Sequence, residues 1–198
     1  MDFQIFLEAT PIIDYDHPAV AAKAEALAKG LNTPEAIAKR CFEYVRDAIA
    51  HTGDAGHGVS TIKASEVLER KTGWCYAKSH LLAALTRANG IPTALCYQRL
   101  SCAEYREGIY CLHGLNAVRL EAYGWYRIDA RGNKEGVNAQ FTPPVEKLAF
   151  ELGENEYDVE GLFAEPLPEI IEALATYKTC EAMIGHFPDI RRDKRSGR

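Results

Sequence analysis

No apolar run in this chain approaches the ~20 consecutive residues that a membrane-spanning helix needs, and so no membrane is expected as a partner. The first residues, Met1-Asp2-Phe3-Gln4-Ile5-Phe6-Leu7-Glu8, lack the basic segment and long apolar core of a secretory leader. Excess positive charge is missing too. Lys and Arg number 23 against 28 Asp and Glu, a net charge of -5, which argues against nucleic acid. Internal repeats are also lacking. Close pairs of metal-binding residues are absent around Cys96, Cys102, Cys111 and His113. Their C-x5-C-x8-C-x-H spacing departs from that of structural zinc sites, so no metal is expected. Together these gaps predict a cytoplasmic protein. There the six cysteines (Cys41, Cys75, Cys96, Cys102, Cys111, Cys180) would stay reduced rather than form three disulfides.

What is present fits one domain with a substantial core: 198 residues, 47% hydrophobic and 26% charged. Residues 1–190 are expected as a single domain, with no internal linker. Residues 191–198, with five basic side chains and one acidic, read as a frayed tail.

Phe3 to Leu7 and Pro11-Ile12-Ile13 suggest an edge strand or an arm. An alanine-rich helix is expected from Pro18 to Lys29, closed by Gly30. Thr33-Pro34-Glu35 opens a second, with Ile37, Cys41, Tyr44, Val45 and Ala48 at helical spacing. Cys41 reads as a small core hydrophobe. A glycine-rich loop, 51–60, carries His51 and His57, and a short helix follows over 65–70. A helix from Cys75 to Ala88 is stopped by Gly90 and Pro92; His80 on it reads as a surface or core residue. Residues 93–100, 110–121 and 124–129 then read as antiparallel strands, the last two joined by a hairpin at Ala122-Tyr123-Gly124. A further strand is expected within 145–152 and a last helix over 168–183. Helices first and strands second make an α+β fold.

Cys75 is the organising residue. It begins a helix, where unpaired backbone N–H groups carry partial positive charge and stabilise a thiolate. A nucleophilic cysteine needs an imidazole within reach and a group to orient it. His113 lies mid-strand and Asp129 ends the following strand. Counted from a turn at Tyr123 they are not direct partners, but they fall near one end of the sheet.

Gly73-Trp74-Cys75, Leu81-Leu82-Ala83-Ala84-Leu85 and Ala88-Asn89-Gly90-Ile91-Pro92-Thr93-Ala94 resemble the nucleophile segment of the transglutaminase-like superfamily. His113-Gly114 with Asn116-Ala117-Val118, and Trp125-Tyr126-Arg127-Ile128-Asp129, resemble its histidine and aspartate segments. The likeness covers roughly 34–130 by motif, and 14–19 and 129–150 are similar to a bacterial, cysteine protease-type subgroup. It departs at Leu115, where many members carry Trp. The resemblance implies a papain/transglutaminase-like core, with N-terminal helices and a nucleophile helix packed on an antiparallel β-sheet. It also implies Cys75 as nucleophile, His113 as base and Asp129 as orienting acid.

An acyl-transfer site also needs two donors for the carbonyl oxygen. The Cys75 backbone N–H is one. Candidates for the second, or for the cleft wall, are His51, Gln98, Asn116 and Trp74. The expected function is a cysteine-dependent amide or peptide hydrolase or acyl transferase. It would work through a thioester on a peptide or other amide-containing substrate, with no cofactor. The alternative is a domain without turnover that acts as a binding module. The sequence assigns no oligomeric state.

Overall fold

The structure is a computed structural model that describes residues 3–56, 58–102 and 107–190. His57 and the basic tail 191–198, both singled out by sequence, lie outside the described residues.

Two helices open the fold: α1 (Pro18–Ala28), with proline in its first turn, and α2 (Pro34–Ala48), where Thr33 Oγ1 accepts from Ala36 N–H. Then come β1 (Ala50–His51), the single turn α3 (Thr52–Ala55), α4 (Ala64–Arg70) and β2 (Thr72–Gly73). Next is α5 (Cys75–Ala88), buried along nearly its whole length. It packs on the sheet with one side and on α1, α2 and α4 with the other. Its alanine- and leucine-rich sequence suits a helix enclosed on all sides. Gly90, at φ +73°, ends it where an ordinary side chain would be strained.

The main sheet is antiparallel and ordered β5-β4-β3-β6, from β3 (Thr93–Ser101), β4 (Tyr110–Leu120), β5 (Gly124–Ile128) and β6 (Tyr157–Asp158). A second, parallel pair joins β1 to β2 in the register Ala50↔Thr72 and His51↔Gly73. That pair brings His51 beside the residues that lead into Cys75. The chain closes with α6 (Pro168–Thr176) and α7 (Cys180–Met183). The α+β expectation therefore holds, with the nucleophile helix laid on an antiparallel sheet.

Four local expectations are corrected. Phe3 to Leu7 is not a strand: Gln4–Phe6 is a 3₁₀ turn, with the Phe6 ring edge-on to Trp125 at 5.0 Å. The 145–152 segment forms no strand beyond a single bridge, Gln140↔Lys147, and side chains take backbone groups on either side of it. Tyr126 OH donates to Val145 O, and Asp129 accepts the Ala149 N–H. The expected helix 168–183 breaks after Thr176. Lys178 O and Cys180 N–H pair with the 58–60 loop instead, and Thr179 caps α7. That same pairing, with α3, gives the glycine-rich loop a defined structure. Finally, Cys102 and Cys111 are joined in a disulfide rather than reduced. They face each other where β3 ends and β4 begins, with Cα atoms 6.1 Å apart, inside the span a disulfide bridges. Cys41, Cys75, Cys96 and Cys180 are free and buried.

Candidate active site

The first turn of α5 meets the middle of β4. Cys75 opens the helix, so its backbone N–H has no intrahelical acceptor. Its sulfur lies 3.4 Å from the Gly114 backbone N–H, which points at it. His113, the neighbour of Gly114, is buried, and its Nε2 lies 2.7 Å from Asp129 Oδ2. Cys75 acts on the same ring and favours its protonated form. The sheet register accounts for the His113–Asp129 contact. β4 and β5 pair as Asn116↔Ile128, so Asp129 follows the last paired residue and its side chain reaches back to His113.

The electrostatics favour a charged imidazole. Burial opposes the charge on His113, but Asp129 and Cys75 outweigh it. They raise its pKa from 6.5 to about 10. Burial likewise works against the Asp129 carboxylate. His113 and the backbone N–H groups of Ala149 and Arg131 prevail and hold its pKa below the ordinary value. The Phe150 ring stands edge-on to His113 at 5.0 Å and covers it.

A cavity of about 420 Å³ opens onto this group, walled by Trp74, Phe150 and Phe187, with the Cys102–Cys111 disulfide at one side and Glu151 and Glu156 near it. His51 and Arg131 also line it. Arg131, two residues past Asp129, grips Asp54 with both terminal nitrogens, and Lys134 Nζ adds a contact to the same carboxylate at 2.8 Å. The Asp54 carboxyl is partly buried, yet these cations hold it well below its usual range. Asp54 in turn gives its backbone N–H to His51 Nδ1, at 3.3 Å.

The structure thus brings Cys75, His113, Trp74 and His51 around one cavity, with Asp129 buried behind His113. It does not bring the other two sequence candidates there. Gln98 pairs directly across the ladder with His113, but its Nε2 donates to Asp158 Oδ1 at 3.0 Å and it lines a separate cavity. Asn116 donates to the Ser79 and Ala94 carbonyls and ties α5 to β3. Trp74 is a wall residue, with its indole N–H donated to Ser60. His80 is a core residue, bonded through Nδ1 to Ile62 O.

Several site residues escaped the sequence reading. Arg131 and Asp54 could have been suspected from Asp129-x-Arg131 and the loop acid, but their pairing spans 77 positions. Phe150 and Phe187 carry no local signal at all. Lys78, one turn after Cys75, is fully buried with Nζ 2.5 Å from Ile49 O. Burial foremost, then the charge of Arg131, lower its pKa from 10.5 to about 7.

The sequence profile described as the transglutaminase-like superfamily matches residues 21–130. Among solved structures, the chain is similar to a candidate cysteine protease from Cytophaga hutchinsonii. That match has a TM-score of 0.52 at 19% identity and covers 66% of this chain and 43% of the other. It is also similar to the periplasmic domain of TgpA from Pseudomonas aeruginosa, with a TM-score of 0.47 at 19% identity, over 66% of this chain and 48% of that one. The chain therefore spans under half the length of either structure. No protein of curated function matches it.

Proposed function

The chain belongs to the transglutaminase-like superfamily, and from that premise we propose that it is a cysteine-dependent amide or peptide hydrolase or acyl transferase. Cys75 attacks the amide carbonyl. His113, oriented through Nε2 by Asp129, holds the proton given up by the thiol and passes it to the leaving amine. Water or a second amine then resolves the thioester. The observation that carries this reading is the 2.7 Å His113–Asp129 contact, with the Cys75 sulfur 3.4 Å from the backbone N–H of Gly114, the next residue after His113.

The Phe150 cover and the buried Asp129 support a site in which charge interactions are strong. The test is labelling with iodoacetamide at pH 6, read by mass spectrometry, in wild type and Cys75→Ala. Wild type should be modified at Cys75 faster than a free thiol. Labelling at that pH that persists unchanged in Cys75→Ala would sink the reading. Turnover of small amide and peptide libraries, with and without an added primary amine, then separates hydrolysis from transfer.

A further inference from the structure

An amide carbonyl attacked by Cys75 gathers negative charge on its oxygen and needs two hydrogen-bond donors there. The Cys75 N–H is one by position. Of the side chains that the sequence offered for the other, Trp74 and Asn116 have committed every donor, and Gln98 has given one and lines a separate cavity. Trp74 Nε1 is given to Ser60, Gln98 Nε2 to Asp158, and Asn116 Nδ2 to Ser79 and Ala94. His51 has given none.

Asp54 meets His51 Nδ1 in two ways: its backbone N–H lies within hydrogen-bond distance at 3.3 Å, while its carboxylate stays at 3.7 Å, beyond it. The Asp54 backbone N–H can only donate, so Nδ1 of His51 must present a lone pair to it. A neutral ring whose Nδ1 accepts carries its proton on Nε2. Burial, reinforced by the charge of Arg131, keeps the ring neutral by holding its pKa well below the ordinary value. With Nδ1 turned to the first turn of α3, Nε2 sits at the far corner of the ring. Among the described residues no group bonds to that nitrogen, and it is not one of the buried unpaired atoms. His51 lines the same cavity as Cys75 and His113.

The ring is also held firmly. The His51↔Gly73 pair anchors its backbone two residues ahead of Cys75. Trp74 meets it edge-on at 5.6 Å. The Arg131 and Lys134 grip on Asp54 fixes the turn that accommodates Nδ1.

We propose that the Nε2–H of His51 is the second donor to the carbonyl oxygen, a catalytic residue for acyl transfer at Cys75. This rests on the function proposed above. In the step, the Cys75 sulfur bonds to the carbonyl carbon and the π pair moves to oxygen. That oxygen accepts from the Cys75 N–H and from His51 Nε2–H, and no proton leaves His51. When the carbonyl re-forms, the C–N bond breaks, and the amine departs with the proton carried by His113.

Two reagents separate this role from every other. Iodoacetamide alkylates the sulfur by displacing iodide from carbon, so no oxyanion forms. p-Nitrophenyl acetate acetylates the same sulfur through an oxyanion and releases p-nitrophenolate. His51→Asn retains an oxygen to accept the Asp54 N–H but ends short of the cleft; His51→Gln extends an amide N–H toward it. His51→Asn should slow acetylation about a hundredfold while alkylation stays within about twofold. His51→Gln should recover at least about a tenth of the wild-type acetylation rate.

Unchanged acetylation in His51→Asn overturns the inference. So does a parallel fall in both reactions, which would place His51 with the thiol or the fold instead. A wild type that reacts with neither reagent faster than Cys75→Ala removes the reading of Cys75, and the inference with it. A wild type that alkylates at Cys75 alongside a His51→Asn that acetylates normally removes the inference alone.

Discussion

Gly114 lies so close to Tyr76 that a Cβ built on it would stand 2.7 Å from Tyr76 Cα and 3.0 Å from Tyr76 N. The obstacle is backbone, in the first turn of α5, so no rotamer change relieves it. The absence of a side chain lets β4 approach closely enough for the Gly114 N–H to point at the Cys75 sulfur. Gly114→Ala should therefore push the helix start away from His113 and destabilise the fold by about 1–3 kcal/mol. Urea unfolding measures the second effect and iodoacetamide labelling at pH 6 the first. A variant as stable and as reactive as wild type would show that the strand yields more easily than this packing implies.

Asp129→Asn tests what holds the imidazole charged. Because the pKa of folded His113, about 10, lies above its unfolded 6.5, protonation of His113 stabilises the fold. The stabilisation is fully present below about 6.5 and is lost as pH rises through about 10. The substituted amide would keep the shape but remove the carboxylate charge, leaving Cys75 alone to hold the imidazole pKa up against burial. The stability difference between wild type and variant should be largest near pH 6, about 3 kcal/mol or more, and shrink steadily toward pH 10. Urea midpoints at pH 6, 8 and 10 give the comparison; a difference that stays flat or widens with pH contradicts it.

How much of this was legible in the sequence follows from how local each signal was. Helix starts at Thr33-Pro34 and Cys75, the stop at Gly90 and the strands around Leu115 and Tyr126 depend on neighbouring residues, and they fall where expected. The cysteine, histidine and aspartate were visible because each sits in a distinctive short stretch, and the sheet register then unites them. What depended on distant partners was hidden. Residues 168–183 have uninterrupted helical character, and only the 58–60 loop, which pairs at Lys178 and Cys180, breaks them. Asn116 and Gln98 looked like free amides on a strand, and only packing shows the donors of Asn116 and one of those of Gln98 already committed. Lys78 looked like an ordinary polar helix residue, and nothing nearby announced that its amine would be enclosed.

That enclosed amine gives an opposite pH signature. Lys78 Nζ donates to the Ile49 carbonyl and lies near that of Arg46, where α2 ends. Its pKa falls from 10.5 to about 7 on folding, so between those values the unfolded chain binds more protons than the folded one. Stability from this group therefore rises with pH across that window. Lys78→Met fills similar space without the donor and leaves the Ile49 carbonyl unpaired. It should cost about 1–3 kcal/mol, with the smaller loss at pH 6, where wild type bears a buried charge, and the larger near pH 10. Equilibrium unfolding of both proteins across that range checks the sign. A penalty that stays flat with pH would mean that the amine stays charged throughout.

The last turn of chain before the tail closes one side of the cleft, and its attachment is polar. Pro188 O accepts the Leu112 N–H at 2.8 Å, beside His113 in sequence, and Arg99 grips Asp189 through two contacts of 2.6 and 2.9 Å. Phe187 meets Trp74 edge-on at 5.4 Å. An ion pair this well formed but partly exposed contributes about 1 kcal/mol at most, so global stability should change little on Asp189→Ala. Access should change more, because the segment loses its side-chain clamp beside the cleft while the Pro188–Leu112 backbone hydrogen bond and the Tyr157 hydroxyl at Ile190 O remain. Labelling of Cys75 by a bulky N-aryl maleimide should accelerate about three- to tenfold, consistent with a loss of about 1 kcal/mol of closure, whereas iodoacetamide, which is small enough for the closed cavity, should gain less. Equal acceleration of both reagents, or of neither, would show that this segment does not limit entry to the cleft.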